Sequence, residues 1–160
     1  MRKLFITTTI PATLNFFKGN LKYLSKTFEI CAISSVEEDL VKIGRREEIR
    51  VHCIPMVRQI SLFKDFICLL KFILFFIKER PYVVHGNTPK ASMLSMVAAW
   101  ITRRPVRIYM CHGLRYQGTK GILRKLLMFM ERLTCACATE VICVSIGVRN
   151  TFASDGICSL

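Results

Sequence analysis

The sequence lacks the short motifs that identify the commonest cofactor-dependent and hydrolytic enzymes. Segment 7–13, which follows the first predicted strand, contains no glycine, so the Gly-x-Gly-x-x-Gly fingerprint of dinucleotide-binding enzymes is absent. No Gly-Lys-Ser or Gly-Lys-Thr phosphate loop occurs, and neither does the nucleophile motif Gly-x-Ser-x-Gly. These absences argue against an ordinary NAD-dependent dehydrogenase, an NTPase and a serine hydrolase.

Long apolar runs are also missing, although 52% of the residues are hydrophobic and the mean hydropathy of +0.37 excludes a disordered chain. The most hydrophobic stretch is 62–80. Its longest uninterrupted apolar run is 72–77, whereas a membrane span needs about 20 residues. At the N-terminus, three threonines and Pro11 follow the apolar residues 4–6, so we predict a first strand and no leader peptide.

Acidic residues are scarce: 11 Asp and Glu stand against 24 Lys and Arg, which gives a formal net charge of +13. The segment 101–132 is strongly basic, and Glu131 is its only acid. Such a segment attracts phosphates, anionic lipids or nucleic acid, and a solvated face that keeps the protein soluble is the alternative. Because no nucleic-acid-binding motif occurs, we expect no nucleic-acid partner.

The helix predicted at 62–80 carries lysines at 64, 71 and 78, a spacing of seven that places them on one helical face. One interpretation is a helix packed against the sheet with one solvent-exposed edge. The other is a helix that also rests on an anionic membrane surface. We expect the apolar face to be buried and leave the membrane contact open, in a protein that is cytoplasmic or peripheral on the inner face of the plasma membrane.

The eight cysteines do not resemble a disulfide framework. Most of them lie inside apolar runs, where cysteine packs as a small hydrophobic residue, so we expect reduced thiols in a cytoplasmic protein. Cys135 and Cys137 form a Cys-x-Cys pair that lacks a matching second pair. The sequence therefore predicts no metal site.

Short β-rich runs alternate with longer helical patterns, which is typical of βαβ units. Strands are predicted at 4–8, 28–34, 49–54, 82–85, 106–112 and 140–145, and helices at 14–26, 37–48, 62–80, 90–102 and 122–138. Continuous apolar strands such as 141–144 indicate a sheet that is covered on both faces. The prediction is one α/β domain over 1–160, a Rossmann-like, doubly wound parallel sheet.

Two predicted strands end on the dipeptide His-Gly, at His85-Gly86 and at His112-Gly113. In an open parallel sheet ligands bind outside the carboxyl ends of the strands, so both imidazoles are candidates for one crevice. An imidazole there binds a sugar hydroxyl or a phosphate oxygen, acts as a base, or is only a structural hydrogen-bonding group. Glycine after each histidine allows close approach of a ligand or a positive φ.

The segment after the first His-Gly pair has the composition of a helix start. Thr88 is a candidate N-cap, and Pro89 suits the first turn. Lys90 then lies beside the positive end of the helix, where a cation is favourable if an anion binds there. The first loop, 7–13, occupies the place where doubly wound folds hold phosphates, and it contains Thr9 and Thr13.

Four segments in this order resemble the N-terminal domain of family 4 glycosyltransferases, in particular bacterial enzymes that build surface polysaccharides. They are Thr-Ile-Pro-Ala-Thr-Leu-Asn-Phe-Phe-Lys-Gly (9–19), His-Gly-Asn-Thr-Pro-Lys-Ala-Ser (85–92), Arg-Ile-Tyr-Met-Cys-His-Gly-Leu-Arg (107–115) and Val-Ile-Cys-Val-Ser (141–145). The resemblance implies a GT-B enzyme, in which two Rossmann-like domains face each other across a cleft. It also implies sugar transfer from a nucleotide donor with retention of configuration and without a required metal or other cofactor.

The resemblance also implies roles for individual residues. His112 is the catalytic candidate that reaches the donor sugar. The acceptor- and substrate-binding candidates are His85, Gly86, Thr88, Lys90, Gly113, Arg115 and Ser145, and the phosphate-loop candidates are Thr9 and Thr13. The implied partners are a nucleotide sugar and a lipid-linked glycan acceptor.

In this family the nucleotide-binding half follows the N-terminal domain. Only residues 158–160 remain after Asp155-Gly156-Ile157, so the chain is expected to lack the C-terminal donor-binding domain and to be inactive alone. Two alternatives remain open. One is half of a sugar-nucleotide epimerase, which has the same two-domain architecture. The other is a non-catalytic domain that binds a membrane surface.

Overall fold

The computed structural model describes residues 1–158 as a six-stranded parallel sheet flanked by helices, and Ser159 and Leu160 lie outside the described residues. The strand order is β3-β2-β1-β4-β5-β6, and all neighbouring strands are parallel. This order reverses between β1 and β4, as in doubly wound folds, and confirms the predicted class. The strands are β1 (Arg2–Thr7), β2 (Phe28–Ser34), β3 (Arg50–Cys53), β4 (Val83–Gly86), β5 (Val106–Cys111) and β6 (Glu140–Cys143).

Helices cover both faces of the sheet. They are α1 (Asn20–Leu24), α2 (Glu37–Glu47), α3 (Leu62–Glu79), α4 (Pro89–Ile101), α5 (Gly121–Cys137) and α6 (Ile146–Ser154), with 3₁₀ helices at Pro11–Phe17 and Arg115–Gly118. Alternate residues of β1 fill two separate cores. Phe5 stacks on Phe75 of α3, with the ring centroids 5.3 Å apart, whereas Ile6 packs in the core of α1 and α2. Two buried faces explain why the strands are continuously apolar.

The helix predicted at 14–26 is wrong as a single element. Pro11–Phe17 form a 3₁₀ helix, and Gly19 then takes the left-handed conformation (φ 78°) before α1 begins. A left-handed residue interrupts a helix, and glycine adopts it without steric cost. Thr13, a predicted phosphate-loop residue, consequently lies inside the 3₁₀ helix. The other predicted elements agree with the structure to within two residues at most ends.

Helix α3 buries one face in the core but exposes apolar side chains on the other. Cys68, Phe72 and Phe76 are buried. The outward residues are apolar too, and they recur at spacings of three and four: Phe63, Phe66, Leu70, Leu74 and Ile77. The expectation of a single solvent-exposed basic edge is therefore incomplete, because α3 also exposes apolar side chains to solvent. No helix among the described residues is long and apolar enough to cross a membrane.

The basic segment 101–132 does not form one continuous patch. Arg107 donates from Nε to the Cys137 carbonyl (2.6 Å) and from Nη1 to the Arg104 carbonyl (2.6 Å), beside the start of β5. Arg104 donates to the Thr102 carbonyl there. Arg115 belongs to the loop after the opposite end of β5. Part of the positive charge therefore satisfies backbone carbonyls and is not available to a partner.

Burial accounts for the chemistry of the cysteines. Cys31, Cys68 and Cys111 are buried, and this raises the pKa of Cys31 to about 12 and those of Cys68 and Cys111 to about 11. Such thiols stay protonated and pack as small hydrophobic side chains, as their apolar context predicts. Within residues 1–158, no group of three or more His, Cys, Asp or Glu side chains is arranged to hold a metal ion.

Candidate functional site

The carboxyl ends of β1, β4 and β5 meet at the centre of the sheet. Thr7 is paired with Gly86, and Gly86 with Tyr109, so the loops that follow these three strands leave the same edge side by side. The strand order reverses at β1 and β4, which is where ligands bind in doubly wound folds. This edge is the candidate functional site.

The two histidines lie against the same 3₁₀ helix. The His112 ring stacks on Phe16, with centroids 5.8 Å apart and an interplanar angle of 23°, whereas His85 meets the edge of Phe17 at 5.9 Å. Neither phenylalanine belongs to the predicted site. Both histidines are close enough that His112 influences the titration of His85. The structure thus places the two strand-end imidazoles near each other against one 3₁₀ helix.

The electrostatic states of the two histidines differ. Burial, assisted by the positive charge of His112, lowers the pKa of His85 to about 4. Its Nε2 atom is buried and has no hydrogen-bond partner in the described structure. His112 is exposed, and partial burial lowers its pKa from the ordinary value. At neutral pH His85 is therefore a neutral imidazole with one nitrogen free to bind a ligand or a water molecule.

Thr88 connects two loops instead of capping α4. Its Oγ1 accepts a hydrogen bond from the Thr9 backbone N–H at 2.8 Å and lies 2.7 Å from the Thr9 hydroxyl. It makes no cap bond to the helix. The predicted side-chain cap is thus wrong, because the threonine hydroxyl is used to hold the first loop against the start of α4.

Lys90 is also placed differently from the prediction. It is only 5% exposed, and its Nζ lies 2.7 Å from Asp65 Oδ1 and donates to the Gln59 carbonyl. The expectation of an unpaired cation waiting for an anion is wrong, because Asp65 of α3 neutralises the ammonium. Lys90 instead fastens the segment before α3 to the start of α4.

A cavity of about 380 Å³ opens beside these contacts. Five predicted site residues line it together, and three further residues complete it. The predicted ones are Thr9, Thr13, Thr88, Lys90 and Arg115; the others are Ile10, Arg58 and Pro89. The cavity does not include the histidines, which lie on the side of the 3₁₀ helix.

Ser145 lies apart from this cavity, at the outer strand β6. Its hydroxyl accepts a hydrogen bond from the Val148 N–H at 3.2 Å and so caps α6. It lines a separate cavity with Ile146 and Arg149. The structure therefore gives Ser145 a local structural role and does not bring it to the central edge.

The structure explains why glycine is needed at one of the two His-Gly pairs but not at the other. A Cβ on Gly86 would lie 2.7 Å from the Ser92 Cα of α4, so this glycine permits close packing of β4 and α4. A Cβ on Gly113 would meet nothing within 4 Å. Neither residue has a positive φ. The predicted alternative of a positive φ is therefore wrong at both positions, and only at Gly113 is space left for close approach of a ligand.

Comparisons with known proteins agree with this architecture. The sequence profile of Glycosyltransferase Family 4 matches residues 29–159. The capsular polysaccharide biosynthesis glycosyltransferase CapM of Staphylococcus aureus is 36% identical over 157 residues, covering 98% of this chain and 40% of that protein. The Escherichia coli UDP-Gal:alpha-D-GlcNAc-diphosphoundecaprenol alpha-1,3-galactosyltransferase is 29% identical over 100 residues, covering 61% of this chain and 26% of that protein.

Solved structures share the fold at low sequence identity. HepE from Anabaena in complex with UDP-glucose superimposes with a TM-score of 0.69 and 15% identity, covering 98% of this chain and 41% of that one. UDP-N-acetylglucosamine 2-epimerase from Rickettsia bellii gives 0.72 and 13%, with coverage of 98% and 42%. These likenesses establish the Rossmann-like half of a GT-B fold. The chain spans 40% of the length of the Staphylococcus aureus relative and 26% of that of the Escherichia coli relative.

Proposed function

The chain belongs to Glycosyltransferase Family 4, and from this we propose that it is the acceptor-side domain of an enzyme of surface polysaccharide biosynthesis. The reaction is transfer of a sugar from a nucleotide-sugar donor to a lipid-linked glycan acceptor. The observation that carries the proposal is the 36% identity to a capsular glycosyltransferase over 98% of the chain. The cavity at the strand-order reversal supports it, because that is where a doubly wound domain holds its ligand.

We assign the two histidines different tasks in this proposal. His112 is exposed at the edge, so its imidazole is accessible to a donor sugar in a facing domain. His85 is mostly buried and neutral, so it acts as a positioning residue whose free Nε2 binds a hydroxyl or a water molecule. Transfer with retention of configuration, without a resident metal or other cofactor, is part of the proposal.

A chimera tests this function. In it, residues 1–157 of this chain replace the matching segment of the Staphylococcus aureus relative. We expect the chimera to transfer sugar and the 160-residue chain alone not to, because the family resemblance implies that the donor's diphosphate binds in the half that follows this domain. His112→Ala should lower kcat of the chimera by about 100-fold or more.

His52→Gln is the matched control for that measurement, because His52 stacks on Phe75 at 3.8 Å and lies away from the crevice. His52→Gln should change the kcat of the chimera by less than about twofold. A folded chimera without transfer would contradict the assignment, and robust transfer by the 160 residues alone would contradict the half-enzyme proposal.

A sugar-nucleotide epimerase is the second candidate, since an epimerase has the same fold. Acceptor-free epimerisation or hydrolysis of a nucleotide sugar by the chimera would favour it. The sequence comparisons favour the transferase, because both curated relatives are named as glycosyltransferases or as enzymes of capsule biosynthesis.

We further propose that the chain rests on the anionic inner face of the plasma membrane through α3 and α5. Both helices contact α4, so they lie in one layer, and both expose apolar side chains. On α5 these are Ile122, Leu126, Phe129 and Leu133, again spaced by three and four. Exposed lysines such as Lys64 and Lys125 accompany the two apolar faces, which is the composition of a surface that binds anionic lipid.

Vesicle sedimentation tests this membrane contact. The double variant Leu74→Gln/Phe129→Gln removes one exposed apolar side chain from each helix. It should weaken binding to phosphatidylglycerol vesicles by about tenfold or more, because each buried apolar side chain contributes about 1.5 to 3 kcal/mol. Tyr23→Ser, an equally exposed aromatic position on α1 in the other layer, should have no effect. Equal losses of vesicle binding in both variants would refute a specific membrane-binding face formed by α3 and α5.

Salt-sensitive vesicle binding by a chimera that lacks transferase activity would favour a non-catalytic membrane-binding domain.

A further inference from the structure

Two arginines from distant parts of the chain converge on the central cavity. Arg58 lies in the loop between β3 and α3, and Arg115 opens the 3₁₀ helix after β5. Both line the cavity of about 380 Å³, and both also line a narrower cavity next to it. The two arginine side chains therefore lie near each other, beside Pro89 and Lys90 at the start of α4. Arg58 has no sequence signal beyond its charge, and the sequence did not identify it.

No carboxylate among the described residues forms an ion pair with either of these two guanidinium groups. Among residues 1–158, neither Arg58 nor Arg115 forms an ion pair or a side-chain hydrogen bond. Asp65 pairs with Lys90. Glu131 lines the narrower cavity with both arginines, but its carboxylate accepts from the Tyr109 hydroxyl at 2.6 Å, forms no ion pair with either arginine, and has its pKa raised by burial. Both arginines are exposed, so solvent screens their mutual repulsion in part, and a bound anion that pairs with both guanidinium groups removes the rest.

The rest of the cavity wall also suits an anion. Thr9, Thr13 and Thr88 carry hydroxyls there, although those of Thr9 and Thr88 also bond to each other. The first turn of α4 starts with Pro89, and the N–H groups that follow it in that turn lack partners in the helix ladder. Guanidinium groups bind phosphate oxygens in pairs of parallel hydrogen bonds, which gives direction as well as charge. The cavity volume lies within the range for ligand sites.

We propose that Arg58 and Arg115 form a clamp for the diphosphate of the acceptor. This assignment rests on the proposed function, and the acceptor named for the Escherichia coli relative carries a diphosphate. It places the anion on the acceptor side of the cleft, in the cavity between the first loop and α4, while the histidines face the reacting sugar. Lys90, already neutralised by Asp65, shapes the cavity and contributes little net charge.

Calorimetric titration of the 160-residue chain at low ionic strength tests the clamp with three probes. They are inorganic diphosphate, UDP, and GlcNAc diphosphate esterified to a short prenyl chain. We expect the prenyl ester to bind most tightly. Arg58→Gln and Arg115→Gln should each weaken its binding by about tenfold, and Arg58→Lys, which keeps the charge but loses the paired geometry, should weaken it less.

Arg45→Gln is the matched control, since Arg45 is an exposed arginine near the end of α2 in the opposite layer. It should change affinity by less than twofold. Equal losses of affinity in all arginine variants would mean that only net charge matters, and this would overturn the clamp. Absence of binding by the folded wild-type chain would overturn it as well. Tighter, arginine-dependent binding of UDP or of inorganic diphosphate would overturn the acceptor assignment. Because no transfer is measured, an inactive chimera leaves this result intact, and loss of the clamp leaves the transferase test intact.

Discussion

Replacing Lys90 with methionine is expected to lower the free energy of unfolding by about 3 to 5 kcal/mol, although the residue follows directly after a helix start and was predicted to serve an anion. The reason is the buried pair with Asp65, whose carboxylate is only 13% exposed and also accepts from the Ser61 N–H at 3.1 Å. Methionine fills similar space but leaves that carboxylate without its cation. Urea denaturation followed by circular dichroism measures the loss.

Two further variants make the Lys90 measurement specific. Lys42→Met removes a lysine from the exposed pair with Glu38 (3.0 Å) and should leave the urea midpoint unchanged, since solvent screens that pair. Lys90→Met combined with Asp65→Leu should recover most of the stability, because both buried charges are then gone. A loss for Lys90→Met as small as for Lys42→Met would mean that the Lys90 ammonium is solvated and free for a ligand.

The sheet was predictable because its evidence is local. Every predicted strand has a counterpart, and Phe28–Ser34 agrees at both ends, since apolar runs bounded by polar residues identify strands without reference to the rest of the chain. The failure at 14–26 is also local in origin. Apolar spacing there fits a helix, but Gly19 adopts φ 78° and divides the segment.

The partners of the site residues were not predictable, because they lie far away in the sequence. Thr88 has the spacing of an N-cap, yet its hydroxyl binds Thr9, 79 positions earlier. Lys90 meets Asp65 across 25 positions. In both cases the local rule assumes that the side chain serves its own helix. The tertiary contact is preferred because burial makes an unpaired polar group costly.

Gly86 and Arg58 show the same limit of sequence patterns in two ways: a pattern gave Gly86 the wrong explanation, and no pattern identified Arg58. The His-Gly repetition led to one explanation for both glycines, whereas the structure gives Gly86 a packing reason and Gly113 none. Arg58, in contrast, sits in a loop without motif or periodicity and becomes a site residue only when β3 and β5 deliver their loops to the same cavity. Sequence patterns identify the edge of the sheet, but the side chains that share it come from the topology.

Acidification should destabilise the protein through His85. The pKa of His85 is about 4 in the folded chain against an ordinary value of 6.5, because burial disfavours the imidazolium. As the pH falls below 6.5 the unfolded chain gains a proton that the folded chain does not accept until about pH 4. The stabilising contribution is therefore fully present above 6.5 and is lost progressively down to 4, by about 3 kcal/mol in total.

The variant His85→Gln isolates this effect, since glutamine does not titrate. Between pH 7 and pH 4, the free energy of unfolding should fall by about 3 kcal/mol less in the variant than in the wild type. The carboxylates, including Glu79 with its pKa of about 2 beside Arg50 and Lys3, titrate in both proteins and cancel in the difference. His52→Gln should give a smaller difference, because His52 is less buried.

Equal pH dependence of wild type and His85→Gln would show that His85 is solvated and titrates normally. The expected result carries a functional consequence, because an imidazole that stays neutral down to about pH 4 cannot serve as a cation for a phosphate at neutral pH. Positive charge at the edge near neutral pH must then come from arginines such as Arg115. The two His-Gly strand ends are thus chemically distinct, although both histidines lie against the same 3₁₀ helix.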